Sequence, residues 1–123
     1  MLQNAKIVAF AGTLDAGRAK AFYRDTLGLT LVEENSFALV FDSNGVMLRV
    51  TNVREMKPAQ YTVLGWDVPD VTAAVRQLAS KGVVFSRYPG MVQDDDGIWT
   101  APSGARVAWF PDPDGNMLSL TQF

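Results

Sequence analysis

Apolar residues recur at the helical period twice along this chain, and the same punctuation brackets both stretches. Ala19, Phe22, Tyr23 and Leu27 fall at i, i+3, i+4 and i+8 between Asp15 and Gly28. Val71, Ala74, Val75, Leu78 and Ala79 form the second stripe, between Asp70 and Gly82. One apolar stripe at this period marks a helix with a single buried face. An aspartate before the stripe can accept from the orphan amides of the first turn, and a glycine after it can take the left-handed conformation that ends a helix. The pattern predicts helices over 15–27 and 70–81.

Short apolar runs on either side of the helices predict strands. In the first half they fall at 6–12, 29–34, 36–42 and 46–52; in the second, at 61–66, briefly at 83–88, and at 97–101, 105–110 and 116–122. The last run of each half is nearly the same peptide. Met-Leu-Arg-Val-Thr at 47–51 returns as Met-Leu-Ser-Leu-Thr at 117–121, each after a tight-turn signal, Asn44-Gly45 or Asp114-Gly115-Asn116. The chain therefore reads as two copies of one βαβββ unit, an α+β protein. Its seam is the polar stretch 52–59, which contains Pro58.

Composition bounds what such a repeat can be. With 123 residues, 48% of them hydrophobic, the chain has the size of a single domain, residues 1–123, and can bury roughly two thirds of its unfolded surface. There is no cysteine, so neither a disulfide framework nor a thiolate site is available. A net charge of −2, with 11 basic residues scattered along the chain, offers no stripe for a phosphate backbone, and nucleic acid is not an expected partner. No apolar run approaches the ~20 residues that cross a bilayer, and the first residues lack a signal-peptide layout. The expectation is a soluble cytoplasmic protein with no membrane partner. Asp94-Asp95-Asp96 is read as a solvated loop, since calcium loops alternate their oxygen ligands. No P-loop, nucleophile elbow or dinucleotide fingerprint occurs.

Leu14-Asp15, Ala21-Phe22-Tyr23, Leu27-Gly28-Leu29 and Asp112-Pro113-Asp114-Gly115-Asn116 together resemble the vicinal oxygen chelate superfamily, the group of glyoxalase I, bleomycin-resistance proteins and extradiol dioxygenases. The resemblance covers essentially the whole chain. It implies two tandem βαβββ modules, about 5–53 and 60–123, forming curved mixed sheets around a pocket with the helices outside. It also implies where enzymes of the group place metal ligands: seven residues before the helix-opening aspartate and four after the turn glycine. In this chain those positions are Val8, Arg49, Val63 and Ser119. Two hydrocarbons, a permanent cation and one hydroxyl make no donor set for a divalent metal. The whole chain lacks histidine, the commonest metal ligand and the commonest general base near neutral pH. No metal, no cofactor and no catalytic residue is expected.

If those four positions face the pocket, alternation places Phe10, Met47, Thr51, Tyr61, Met117 and Thr121 on the same face. Leu48, Val50, Leu64, Leu118 and Leu120 then face the helices. Arg49 stands out, because an arginine cannot escape burial by losing its proton. Either it pairs at the rim with Asp42 or Glu34, or it is a fork for a carboxylate, phosphate or polarised carbonyl. In the longer segment 87–104, Trp99 and Tyr88 are candidates for a pocket wall, while Trp109 reads as core or interface. The expected ligand-binding set is Val8, Phe10, Met47, Arg49, Tyr61, Val63, Trp99, Met117 and Ser119. The expected function is metal-independent binding of an amphiphilic, aromatic or anionic small molecule by a homodimer; the alternative is a glyoxalase-like lyase, isomerase or dioxygenase-related enzyme whose metal is relocated or absent.

Overall fold

Both helices start where the aspartates stand. In the computed structural model, which describes residues 1–123, Asp15 Oδ1 accepts from the Arg18 amide at 3.1 Å and Asp70 Oδ1 from the Ala73 amide at 3.0 Å. Gly28 and Gly82 lie past the helix ends with φ of +79° and +95°, the region that costs glycine least. The first helix departs from the predicted geometry partway along. Ala16–Lys20 (α1) is α-helical, whereas Ala21–Thr26 continues as a π-helix, and the Leu27 amide donates to the Phe22 carbonyl five residues back at 2.9 Å. Ala19 and Tyr23 are fully buried, and the Tyr23 ring packs on Phe41 with centroids 5.7 Å apart. The second helix, α2, is regular over Val71–Ser80 and buries Val71 and Val75.

The chain divides into two compact units, Met1–Lys57 and Pro58–Phe123. In the first, β1 (Val8–Thr13), β2 (Thr30–Glu34), β3 (Ala38–Ser43) and β4 (Val46–Asn52) form one sheet in the order β1-β4-β3-β2. In the second, β5 (Leu64–Asp67), β6 (Trp99–Thr100), β7 (Arg106–Pro111) and β8 (Met117–Gln122) repeat it as β5-β8-β7-β6. Each sheet is mixed: the first strand runs parallel to the last, and the other pairs are antiparallel. The protein is thus α+β, with two tandem βαβββ modules. Several strands are shorter or shifted against the sequence reading, β6 most clearly, at Trp99–Thr100 where 97–101 is expected. Residues 83–88 form no strand; one backbone bond, Ser86 amide to Trp109 carbonyl at 2.8 Å, joins them to β7, beside the ring contacts of Phe85 with Phe110 and Tyr88 with Trp109. The strand expected from Tyr61 begins only at Leu64.

The core of each unit lies between its helix and one sheet face. Leu39, Phe41, Leu48 and Val50 in the first unit, and Ala108, Phe110, Leu118 and Leu120 in the second, are buried. Burying such a side chain fully contributes about 1.5–3 kcal/mol. No helix is long and apolar enough to cross a membrane.

Candidate functional site

Register decides which residues share the opposite, helix-free faces. In the first unit Val8 pairs with Met47 and Phe10 with Arg49, which in turn pairs with Val40. Directly paired residues project to the same side of a sheet, so Val8, Phe10, Met47 and Arg49 lie together. This side is open within the unit: Phe10 is 61% exposed, Met47 42% and Val8 41%. Arg49 is half-buried among them. Neither carboxylate expected as its rim partner holds it, because Glu34 pairs with Lys20 at 2.9 Å and Asp42 forms no ion pair.

The second unit builds the corresponding face from different residues. Gly65 stands opposite Ser119, as Phe10 stands opposite Arg49. A Cβ at Gly65 would lie 2.5 Å from Ser119 Oγ, so any side chain there would have to displace the serine hydroxyl. Beside this low point rise Trp109, paired with Ser119, and Met117, paired with Pro111. Val63 precedes β5, and its amide donates to the Met117 carbonyl at 3.0 Å.

Over Trp109 and Met117 opens a cleft of about 510 Å³, lined by Ala59, Gln60, Tyr61, Thr62, Tyr88, Met91, Trp109, Gly115 and Met117. Volumes in this range accommodate small organic ligands. One wall is the chain leading into β5, and it can approach because Gly115 has no side chain. A Cβ there would lie 3.2 Å from Pro58 Cγ, and the residue's φ is +88°. Asp112 holds that turn: its Oδ1 accepts from the Asp114 and Asn116 amides, both at 2.9 Å, and its Oδ2 from Asn116 Nδ2 at 2.8 Å.

The other wall is carried by the irregular segment after α2. Tyr88 meets Trp109 edge to face at 5.6 Å, and its hydroxyl donates to Met117 Sδ at 3.6 Å. Gln93 fixes this segment with its whole amide group. Its Oε1 accepts from the Tyr88 amide at 2.8 Å, and its Nε2 donates to the Ser86 and Gly97 carbonyls, both at 2.9 Å. Trp99 backs the cleft without lining it, 6.1 Å from Trp109, and borders a separate hollow of about 260 Å³.

The structure thus brings Tyr61 and Met117 into the cleft, with Val63 and Ser119 beside its floor in the same unit. Val8, Phe10, Met47 and Arg49 belong to the open face of the other unit. Trp109, which reads as core or interface in the sequence, is a central lining residue; it pairs with Ser119 on the helix-free face, while its neighbours Ala108 and Phe110 turn into the core. Gln93 carried no sequence signal, because its role depends on three backbone partners brought close only by folding.

None of this fits a metal. Val8, Arg49, Val63 and Ser119 offer one hydroxyl and no imidazole or carboxylate, and nowhere do three or more acidic side chains gather into a cation site. Asp94, Asp95 and Asp96 instead form a structured turn. Asp94 Oδ1 accepts from the Asp96 and Ile98 amides at 2.9 Å each, and Asp96 pairs with Arg76 at 3.1 Å.

Comparison with known proteins gives a consistent picture. The family model described as Glyoxalase/Bleomycin resistance protein/Dioxygenase superfamily matches residues 8–120. No curated protein matches in sequence. Among solved structures, a bleomycin-binding protein complexed with bleomycin is 23% identical, with TM-score 0.74 over 98% of this chain and 99% of that one. A bleomycin resistance determinant encoded on the transposon Tn5 is 22% identical, with TM-score 0.74 over 97% and 98%. A lactoylglutathione lyase from Agrobacterium tumefaciens is 17% identical, with TM-score 0.75 over 97% and 93%. At these identities the likeness is one of fold.

Proposed function

The chain belongs to the glyoxalase/bleomycin resistance protein/dioxygenase superfamily, and from that premise we propose that it is a metal-independent binding protein for a small aromatic or amphiphilic molecule. The observation that carries this reading is the cleft of the second unit, where Trp109, Tyr88 and Tyr61 meet two methionines and no charged side chain. Aromatic faces and polarisable thioethers recognise flat apolar groups. A structural neighbour of the same fold was solved with bleomycin bound, which supports binding as a use of this architecture.

The alternative, a glyoxalase-like lyase, has the lactoylglutathione lyase as a neighbour of the same fold. Its chemistry lacks a starting group here. With no histidine in the chain, the commonest general base is missing, and no carboxylate lines the cleft. Glu34 pairs with Lys20, Glu33 accepts from Asn35, and Glu55 is exposed in the seam. The test is a calorimetric titration with a neutral two-ring aromatic such as quinoline. Saturable binding that Trp109→Leu weakens roughly tenfold is the expected result. Undiminished binding by that variant would move the site elsewhere, and turnover of a dicarbonyl substrate would replace the reading altogether.

The same reading includes a homodimer. Ile7 and Phe37 are 77% and 75% exposed, and the face bearing Phe10 is open as well; an apolar surface of this kind favours a partner copy. Light scattering at tens of micromolar should give twice the chain mass, and a monomer would refute the dimer.

A further inference from the structure

We propose that the aromatic cleft of the second unit, lined by Trp109, Tyr88 and Tyr61, selects an organic cation over neutral and anionic molecules of the same shape. This deepens the binding reading above and rests on it.

The argument is electrostatic. No charged side chain lines the cleft, so selectivity must come from ring quadrupoles and from the surrounding field. The electron-rich face of an aromatic ring attracts a cation within about 6 Å of its centroid, tryptophan most strongly. Three such rings border one cleft, and Met91 and Met117 add polarisable sulfur. The net charge of the unit has the same sign. Residues 58–123 carry four basic and seven acidic side chains, a net of −3, whereas residues 1–57 carry seven basic and six acidic, a net of +1.

Three of the four cations of the second unit are engaged by partners that do not line the cleft. Arg87, next in sequence to Tyr88, donates to the carbonyls of Asp94 and Asp95 at 2.7 and 2.9 Å. Arg76 pairs with Asp96, and Arg106 reaches Thr72 Oγ1 at 3.0 Å. An anion entering the cleft would therefore lose hydration and meet π faces in a negative unit, with no donor fork to compensate. An organic cation is weakly hydrated and loses little on entry.

The experiment uses one ring in three charge states. N-methylquinolinium, quinoline and quinoline-2-carboxylate are titrated calorimetrically at neutral pH into the full chain, the Trp109→Leu variant and the Tyr61→Leu variant. Tyr61 is 71% exposed, so its replacement leaves the fold intact should Trp109→Leu prove unstable. The expected result is that the cation binds roughly tenfold tighter than quinoline, that the carboxylate binds weakest, and that both variants reduce the preference for the cation. Equal affinity for cation and neutral ring, both lost in the variants, would overturn the charge selection and leave the cleft as an aromatic site. Absence of binding by all three would overturn the cleft reading itself. Tetramethylammonium separates the two sources of cation: binding comparable to N-methylquinolinium identifies a quaternary ammonium head, and weaker binding identifies an aromatic cation.

Discussion

Arg49 is the residue whose role the structure narrows most. With Glu34 held by Lys20 and Asp42 unpaired, its half-buried guanidinium has no internal carboxylate to serve. Arg49→Met keeps most of the volume, so thermal stability should change little. Any carboxylate-bearing ligand taken at that face, apart from the cleft of the second unit, should lose roughly tenfold to a hundredfold in affinity, the worth of a charge-assisted bond of about 1.5–3 kcal/mol. A clear loss of melting temperature with unchanged affinity would make the residue structural. Gly65 gives a second test. Gly65→Ala sets a methyl 2.5 Å from Ser119 Oγ and should cost about 1–3 kcal/mol as overpacking. Adding Ser119→Ala should recover most of that loss, which a double-mutant cycle by denaturant unfolding would measure. Individual side chains were legible in the sequence where strand alternation alone decides their direction. Leu48, Val50, Leu118 and Leu120 are buried, while Val8, Phe10 and Met47 lie on the other side. That Arg49 pairs with neither Glu34 nor Asp42 was not legible, because cross-strand distance and the competing Lys20 appear only in three dimensions.

Among the elements, two turns of the second unit share one design. Asp94 and Asp112 each accept from the amides two and four residues on, and each turn has a left-handed glycine at the third position, Gly97 at +86° and Gly115 at +88°. Their surroundings differ. Asp112 is buried and also holds Asn116 Nδ2, whereas Asp94 is exposed. Asp112→Ala should therefore destabilise by about 3 kcal/mol, and Asp94→Ala by about 1, since a buried donor left unpaired bears the full desolvation cost. Equal losses in urea unfolding would contradict that account. Gln93→Ala should release Tyr88 from the cleft wall and weaken binding of an aromatic ligand while leaving both helices intact by circular dichroism. Helices and turns were readable here because their signals are local: a capping aspartate, a stripe, a glycine. The segment 83–98 was not. Residues 83–88 read as a short strand, yet the backbone here is organised by the side chain of Gln93 and by Arg87 on the 94–95 carbonyls, contacts that no periodicity announces.

At the scale of the whole molecule, the repeated peptide near residues 47 and 117 foretold the tandem architecture. What the repeat could not convey is where a cleft opens, since that depends on Gly115 admitting Pro58 and on Trp109 standing clear of the sheet. With no donor set at the four family positions, the melting temperature should be the same with and without a chelator. The central claim, a small molecule bound without metal, is tested most directly by native mass spectrometry of the protein purified without added ligand, recording bound organic mass and bound metal together. The account predicts an organic adduct that Trp109→Leu removes and no stoichiometric transition metal. About one metal per chain, removed by chelation together with a measurable catalytic activity, would contradict it.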